Sequence, residues 1–158
     1  MARRTKATFA WIVAILRKEK IPFMISGGLA ARSYGVKRPL NDIDIEIPDD
    51  AMKRLLPHIR SYIVYGPARY HDESFDLLLV TLRRFGQEID ICGAGSQKLF
   101  DKKAKKWRAQ RNGLSAAHNK RVFGLIVPVI ARKDLLAYKS LLGRDVDRED
   151  VRQLLKIS

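Results

Sequence analysis

The sequence predicts an α/β (α+β) fold in which a mixed β-sheet is flanked by helices. Segments with helical periodicity alternate with short strand-like runs, a pattern that is typical of a sheet covered by helices. A hairpin signal at residues 75–92 places two antiparallel strands in the middle of the chain, which argues against a purely parallel, doubly wound sheet. Two helical segments at 134–155, separated by Gly143, predict a C-terminal helix pair.

The first half of the chain contains alternating helix and strand signals. Apolar residues recur at helical spacing from Phe9 to Ile21, which predicts an amphipathic N-terminal helix. A short apolar run before Gly27 predicts a buried strand, and a strictly alternating run before Pro48 predicts a half-buried one. The predicted elements are a helix at about 5–20, a strand at 22–26, a helix at 29–34, a strand at 41–47, a helix capped by Asp49 and reaching Ile59, and a short strand at 62–65.

The second half begins with the hairpin, whose polar turn contains Gly86. The basic stretch at 102–111 predicts a helix that ends at Asn112-Gly113. The remaining predicted elements are a strand pair or bent strand at 121–130 and helices at 134–142 and 147–155.

Length and composition predict one folded domain over residues 1–158, with a core at about 22–155 behind the N-terminal helix of about 5–20. The 158 residues are 46% hydrophobic, enough for a real core. The sequence contains no run of about 18 apolar residues, so we expect no membrane span. The single cysteine, Cys92, excludes an internal disulfide and suits a reducing compartment. The first apolar segment is too short, and its end too basic, for a signal peptide, so we expect a cytoplasmic protein.

The positive charge of the chain is large and uneven. The formal net charge is +14, and residues 98–121 hold nine Lys or Arg with Asp101 as the one acid. Trp107 lies among these cations, as it would in a surface that neutralises phosphates and stacks a base. A general solubility charge is the alternative interpretation. The candidate nucleic-acid-binding residues are Lys102, Lys103, Lys105, Lys106, Trp107, Arg108 and Arg111.

Acidic side chains alternate with isoleucines in the strand predicted at 41–47. Successive side chains of a strand point to opposite faces, so Asp42, Asp44 and Glu46 share one face. Two neighbouring carboxylates repel each other unless a cation lies between them, and Mg²⁺ prefers such oxygen ligands. A solvated acidic strand face is the alternative for this motif alone.

A further acid, Asp90, lies between two isoleucines on the second hairpin strand. If the hairpin packs beside the first acidic strand, Asp90 joins Asp42 and Asp44, and three carboxylates can hold two Mg²⁺ ions for phosphoryl chemistry. Glu88 is a weaker candidate on the same face, and Asp76 is weaker still.

Two adjacent glycines follow the first predicted strand and open a helix. Gly27 and Gly28 allow the backbone to approach a phosphate closely, and Ser26 adds a hydroxyl. Most such glycine pairs are simple tight turns, so it is the combination with the acids that indicates a phosphate-handling site.

The glycine pair, the paired acids of the next strand and the later Asp90 resemble the signature of the polymerase-β-type nucleotidyltransferase superfamily. Its pattern is a strand, Gly-Gly or Gly-Ser opening a helix, a DxD strand about a dozen residues later, and a third Asp. The segment GGLAARSYGVKRPLNDIDI is particularly similar to small single-domain members, namely AbiEii-like and MenT-like toxins and lincosamide-type resistance enzymes. Arg38 falls at an Arg of their pattern, whereas Leu29 and Leu40 stand where Ser or Thr is common. The resemblance covers about 22–155 and is weakest at 95–121.

The C-terminal helices resemble the closing helix pair of the same superfamily, in which a Lys precedes an R-x-K-D-x-x-D segment. Lys139, Arg144, Asp147 and Asp150 match it, and Val146 departs from it. The resemblance implies that Lys139 contacts nucleotide phosphates; an ordinary solvated helix lysine is the alternative. Asp147 and Asp150 are expected to stabilise the last helix rather than to do chemistry.

The resemblance implies a polymerase-β-like nucleotidyltransferase fold and a Mg²⁺-dependent enzyme that moves a nucleoside monophosphate from an NTP to an acceptor hydroxyl. Asp42, Asp44 and Asp90 are the expected catalytic and metal-binding residues for two Mg²⁺ (or Mn²⁺) ions. The expected phosphate-binding residues are Ser26, Gly27, Gly28, Arg38 and Lys139. The basic segment favours RNA as the acceptor, such as a tRNA 3′ end, in a toxin–antitoxin setting with an antitoxin or another protein as partner. The alternatives are an antibiotic-like small molecule or a protein as acceptor, and a catalytically inactive nucleic-acid-binding module of the same fold.

Overall fold

The computed structural model describes residues 3–110 and 113–157. Its α-helices are α1 (Thr5–Lys18), α2 (Gly27–Ser33), α3 (Met52–Ile59), α4 (Arg132–Leu142) and α5 (Asp145–Lys156). Its strands are β1 (Met24–Ser26), β2 (Asp42–Ile47), β3 (Ile63–His71), β4 (Phe75–Arg84), β5 (Gln87–Gly93), β6 (Lys98–Asp101), β7 (Lys106–Ala109), β8 (His118–Val122) and β9 (Leu125–Val129).

The nine strands within this described part form one mixed sheet in the order β7-β6-β4-β5-β2-β1-β9-β8, and β3 pairs with β4 outside that path. The pairs β2–β5 and β1–β9 are parallel, and the other neighbours are antiparallel. The β4–β5 hairpin turns at Phe85 and Gly86, both with positive φ, as a tight two-residue hairpin requires. The predicted fold class, a mixed sheet with helices and a C-terminal helix pair, is confirmed.

Side-chain alternation divides the faces of the central strands between core and cleft. Ile43, Ile45 and Ile47 of β2 are fully buried in the core. The core also contains residues of α1 and α3, including Phe9 and Leu55. The acids of β2 leave the sheet on the opposite face, where α2, α4 and α5 border a cleft.

Residues 102–110, the part of the basic stretch at 102–111 that the structure describes, do not form a helix, so this prediction is wrong. Its described part is the turn and second strand of a hairpin, β6–β7. The Asp101 carboxylate accepts hydrogen bonds from the N–H groups of Lys103 (3.1 Å) and Ala104 (2.9 Å), which closes the turn. Across the strands, Trp107 packs edge-on against Phe100 with ring centroids 5.4 Å apart. Local polar turn chemistry and aromatic cross-strand packing outweigh the helical propensity of the lysines.

Two smaller differences concern the segment between β2 and β4. Strand β3 is longer than predicted because it pairs along β4 through two irregularities. Asp49 does not cap α3; its carboxylate instead accepts a hydrogen bond from the N–H of Gly95 at 2.9 Å. Among the described residues, no helix combines the length and apolar character needed to cross a membrane.

Candidate active site

Three carboxylates meet on the open face of the sheet. Strands β2 and β5 lie side by side in parallel, and their register pairs Asp44 with Asp90. Asp42 emerges on the same face because it lies two residues before Asp44. One carboxylate oxygen from each of the three residues lies within 4.8 Å of the others. The structure therefore brings together the three acids that the sequence selects.

Two of these acids, Asp44 and Asp90, lie within a straight row of cross-strand partners. Thr81 on β4 faces Asp90, Asp90 faces Asp44, and Asp44 faces Ser26 on β1. Adjacent strands are about 4.8 Å apart, so the row spans roughly 14 Å. The Thr81 hydroxyl donates a hydrogen bond of 2.6 Å to Asp90 Oδ1. The acids thus have the glycine turn on one side and β4 on the other.

Burial and the neighbouring charges raise the affinity for protons of two of these carboxylates, Asp44 and Asp90. The pKa of Asp44 is well above its usual value, because of burial and then because of the charges of Asp42 and Asp90. Burial also raises the pKa of Asp90 to about 6, although the Thr81 hydrogen bond opposes the rise. The cluster is therefore a site of concentrated negative charge that lacks enough counter-charge from its immediate neighbours.

The donor set of this cluster fits a divalent hard cation. Asp42, Asp44 and Asp90 offer only carboxylate oxygens, the ligands that Mg²⁺ and Mn²⁺ prefer. Such an ion would neutralise the mutual repulsion that raises the pKa of Asp44 and Asp90. It would also compete with protons for these oxygens, so metal affinity should rise with pH through about 6, the pKa of Asp90.

The glycine turn before α2 lies directly against the acids. Gly27 has a φ of +60°, and a Cβ built on it would lie 2.0 Å from Asp44 Oδ2. A Cβ on Gly28 would lie 2.8 Å from Nη2 of Arg38. Both glycines therefore allow a close approach between the backbone and a charged side chain, one negative and one positive.

Gly27→Ala should disrupt the site through this contact. The new Cβ must displace the Asp44 carboxylate and hold a left-handed backbone, so we expect the free energy of unfolding to fall by about 1–3 kcal/mol. Gly124→Ala is the matched control, because Gly124 also has a positive φ (+84°), but a Cβ added to it would meet nothing within 4 Å among the described residues. Chemical denaturation and Mn²⁺ titration of both variants measure the difference. Equal losses in the two variants would show that the Asp44 contact is unimportant.

Three cations and two buried acids form a second cluster, which Arg38 connects to the glycine turn. Lys139 is only 2% exposed, and its Nζ lies 2.8 Å from Asp150 and 3.3 Å from Asp147. Arg38 makes a two-point contact with Asp150, at 2.6 and 2.8 Å. Arg144 Nε lies 2.6 Å from Asp147. Lys139 is therefore not a solvated helix lysine, and three cations against two acids leave this cluster with one excess positive charge.

The three carboxylates, the glycine turn and the three cations line one cleft of about 520 Å³. The carboxylates and the adjoining strands form its floor, and the cations of α4 and the segment before β2 lie beside it. All eight residues predicted to act in catalysis or phosphate binding line this cleft: Ser26, Gly27, Gly28, Arg38, Asp42, Asp44, Asp90 and Lys139.

Sequence reasoning assigned no site role to several other cleft residues. Thr81 could have been found from the alternation of β4 once its pairing with β5 was assumed. Tyr138 and Gln97 also line the cleft, but no sequence motif marks them: Tyr138 simply precedes Lys139, and Gln97 lies in a loop. Arg144 was matched to the closing helix pair but given no role; it lines the cleft.

The weaker acidic candidates have different positions. Glu88 lines the cleft, across from Asp42 in the parallel register. Glu46 is buried in the cleft wall and accepts a 2.5 Å hydrogen bond from Gln97. Asp76 pairs with Arg69 at 2.6 Å and is not among the described residues that line the cleft.

The predicted nucleic-acid-binding residues occupy the β6–β7 hairpin. Trp107 contacts Phe100 and His71. Phe100 follows Leu99, which lines the cleft, so the alternation places Trp107 on the opposite face of the sheet. Arg111 lies outside the described residues. The hairpin cations Lys102, Lys103, Lys105, Lys106 and Arg108 are all exposed, and Arg108 forms an ion pair with Asp101.

Comparison with solved structures shows that the fold of this chain is similar to the fold of nucleotidyltransferases. A candidate nucleotidyltransferase from Thermotoga maritima superposes with a TM-score of 0.72 and 19% identity, over 98% of this chain and 96% of that one. The lincosamide antibiotic adenylyltransferase LnuA, bound to lincomycin, gives a TM-score of 0.62 and 15% identity over 99% of both chains. The antibiotic-resistance factor ANT(2'')-Ia gives 0.65 and 14% identity, over 96% of this chain and 83% of that one.

The resemblance to the polymerase-β-type nucleotidyltransferase superfamily is thus confirmed at the level of the fold. Compared by sequence, the chain matches no protein-family model and no curated protein. The similarity between this chain and its structural neighbours therefore lies in the three-dimensional fold.

Proposed function

We propose that the protein is a Mg²⁺-dependent nucleotidyltransferase that moves a nucleoside monophosphate from an NTP to an acceptor hydroxyl on RNA. The observation that carries the proposal is the convergence of three carboxylate oxygens within 4.8 Å in a cleft that Lys139, Arg38 and Arg144 also line. Negative charge alone would repel a nucleotide. Carboxylates for metal ions beside cations for phosphates suit a metal-bound NTP.

The carboxylates would hold the metal ions and receive the proton. Asp42 and Asp44 would bind both ions and Asp90 one of them; when bound, the ions supply charge neutralisation and acidify the attacking hydroxyl. The acceptor oxygen forms a bond to the α-phosphorus, the bond from that phosphorus to the bridging oxygen breaks, and pyrophosphate leaves. The hydroxyl proton passes to Asp90, directly or through water.

The positive side of the cleft would hold the triphosphate. Lys139 and Arg38 each keep an acidic partner, so they are fixed in place before the nucleotide arrives. In the turn before α2, Gly28 lets the Arg38 guanidinium lie against the backbone, and Ser26 adds a hydroxyl that can donate to a phosphate. These residues bind and orient the leaving pyrophosphate.

The exposed lysines of the β6–β7 hairpin favour RNA as the acceptor. Strand β6 also contributes Leu99 to the cleft, so this basic surface adjoins the reaction site. The resemblance to toxin-type relatives makes a tRNA 3′ end, and an antitoxin partner, the first candidates to test. The names of LnuA and ANT(2'')-Ia point instead to small antibiotics. A net charge of +14 disfavours cationic members of that group.

The direct test is to incubate the protein with each labelled NTP, Mg²⁺ and total RNA. Label on RNA that disappears with a chelator supports the proposal, and label on protein favours a protein acceptor. Label on neither, together with tight RNA binding, would favour the catalytically inactive binding module. Parallel reactions with lincosamides and aminoglycosides in place of RNA test the small-molecule alternative.

Neutralising the hairpin should weaken RNA binding in a salt-dependent way. For Lys105→Gln/Lys106→Gln we expect the slope of log affinity against log salt to shrink by about 2, because two phosphate contacts are lost. Lys53→Gln/Lys133→Gln is the matched control, since both of these lysines are exposed on helices. Fluorescence anisotropy with a labelled tRNA measures the slopes. Identical slopes for both double variants would remove the hairpin from the RNA interface.

A further inference from the structure

We propose that the cleft contains a separate subsite for the flat ring of the acceptor's reacting nucleoside, on an apolar row contributed by β4. The inference rests on the proposed transfer to RNA and specifies where the accepting nucleoside binds. It concerns residues that neither bind metal nor carry charge.

The row is a direct result of strand alternation. Phe75, Leu77 and Leu79 share with Thr81 the face of β4 that lines the cleft. Leu99 of β6 is the cross-strand partner of Phe75 and extends the apolar floor sideways. Leu77 is 7% and Leu99 2% exposed, yet within the described part of the chain neither belongs to the main core cluster. These leucines thus form an apolar floor of the cleft, separate from the core.

The apolar side chains of this row cannot neutralise a triphosphate, but they suit contact with a flat ring. Phosphates need cations and N–H donors, and those lie around the glycine turn, Arg38 and Lys139. An apolar strip beside a polar cluster is the usual arrangement in sites that bind a ring-bearing ligand and fix it with a few polar groups.

In-line displacement assigns the row to the acceptor rather than to the NTP. The attacking and leaving oxygens lie on opposite sides of the α-phosphorus. The polar cross-strand partners that run through the site have the glycine turn at one end and β4 at the other; they are Thr81, Asp90, Asp44 and Ser26. If pyrophosphate leaves toward the glycine turn and its cations, the hydroxyl arrives from the side of β4.

Leu79 is the residue that places the ring. It is the cross-strand partner of Cys92, which lies two residues after Asp90, so Leu79 is a diagonal neighbour of Asp90 at about 7–8 Å. A ribose can span that gap with its hydroxyl at Asp90 and its base over Leu79. Leu79 is half-buried, which leaves part of its side chain for a ligand.

Two aromatic side chains lie at this apolar row: Tyr70 borders it, and Phe75 forms its far end. The Tyr70 hydroxyl donates a 2.7 Å hydrogen bond to Asp72 Oδ2, and Asp72 Oδ1 accepts from the N–H groups of Ser74 and Phe75 at 2.8 and 2.7 Å. Tyr70 is therefore held at the cleft wall by a fixed turn. The guanidinium of Arg144 lies 4.9 Å from the centroid of the Phe75 ring and closes the far end. Aromatic walls of this kind suit a planar base.

The test measures ring binding separately from nucleotide binding. The ring probe is 2-aminopurine riboside, followed by its fluorescence, with Mg²⁺ and α,β-methylene ATP present; free ribose is the ring-free comparison. Leu79→Ala should weaken riboside binding about tenfold, since most of one buried leucine contact is lost. The affinity for the methylene analogue should stay within about twofold. Ribose should bind no better to the wild type than to the variant.

The matched control is Leu78→Ala. Leu78 is the next residue of β4, is also half-buried, and packs against the core on the opposite face, so its loss should leave riboside affinity unchanged. Leu79→Met keeps the volume and should bind within about threefold of wild type. Thermal unfolding of all three variants shows whether any affinity loss is a folding loss.

Three results would overturn the subsite: no riboside binding to the wild type, unchanged binding in Leu79→Ala, or a selective loss of methylene-ATP affinity in that variant. The last result would assign the row to the base of the NTP. Failure of the proposed function looks different, because then no analogue binds in a metal-dependent way and no label is transferred, whatever the riboside does.

Discussion

Asp42→Asn should abolish nucleotidyl transfer while leaving the fold intact. The substitution keeps the size of the side chain but removes one of three charges whose oxygens lie within 4.8 Å. With one metal ligand weakened, we expect transfer to fall on the order of a thousandfold. The free energy of unfolding should not fall, because the charge of Asp42 raises the pKa of both Asp44 and Asp90 and its removal relieves that repulsion.

Glu88→Gln provides the matched control for this substitution. Glu88 is the parallel-register partner of Asp42 and lines the same cleft, but it is not in the carboxylate trio. We expect it to lower transfer less than about tenfold. The rate of labelled NMP transfer and the affinity for Mn²⁺ measure both variants. An Asp42→Asn protein that still consumes NTP at the wild-type rate would remove Asp42 from the mechanism.

The carboxylate site could be predicted because its geometry follows from strand alternation. Once Asp42 and Asp44 lie on a strand, they share a face. Asp90 follows the same rule on β5, so only the pairing of β2 with β5 had to be assumed. Gly27 was identified by its position, whereas its positive φ and its contact with Asp44 are visible only in three dimensions.

The hairpin at 98–109 could not be predicted from composition, because lysine-rich segments favour helices in isolation. The decisive interactions were the turn at Asp101 and the packing of Trp107 on Phe100, which depend on a strand pairing that the pattern does not specify. The same register moves Trp107 to the face opposite the cleft. An RNA with a base stacked on Trp107 would have to pass around the edge of the sheet to reach the cleft.

The burial of Lys139 is the other feature that the pattern alone did not determine. A lysine on an amphipathic helix is normally exposed, and here it lies between two acids from the following helix, Asp147 and Asp150, each of them fully buried. Its position depends on how α4 and α5 pack together. That packing gives Lys139 a structural role in addition to the proposed phosphate contact.

Lys139→Met should therefore destabilise the protein as well as reduce its activity. Met has a similar length but leaves Asp147 and Asp150 with one cation each, Arg144 and Arg38. Removing one partner of a buried ion-pair cluster typically costs about 3–5 kcal/mol, so we expect a loss near the lower end at pH 7. Lys133→Met is the control, since Lys133 is an exposed lysine on the same helix and should change stability by less than about 0.5 kcal/mol.

The pH dependence separates this electrostatic loss from simple repacking. Burial raises the pKa of Asp150, but the hydrogen bonds from Arg38 and Lys139 outweigh it and leave the pKa below the usual value. A carboxyl with a lowered pKa stabilises the fold above its unfolded-state pKa of about 3.9, and that contribution is lost as the pH falls through the folded-state pKa. Wild type and Lys139→Met should therefore differ most near pH 7 and converge in acid, where Asp150 takes up a proton. Urea denaturation at several pH values measures the difference. If the difference is independent of pH, the loss comes from packing, and the cation cluster does not depend on the charge of Lys139.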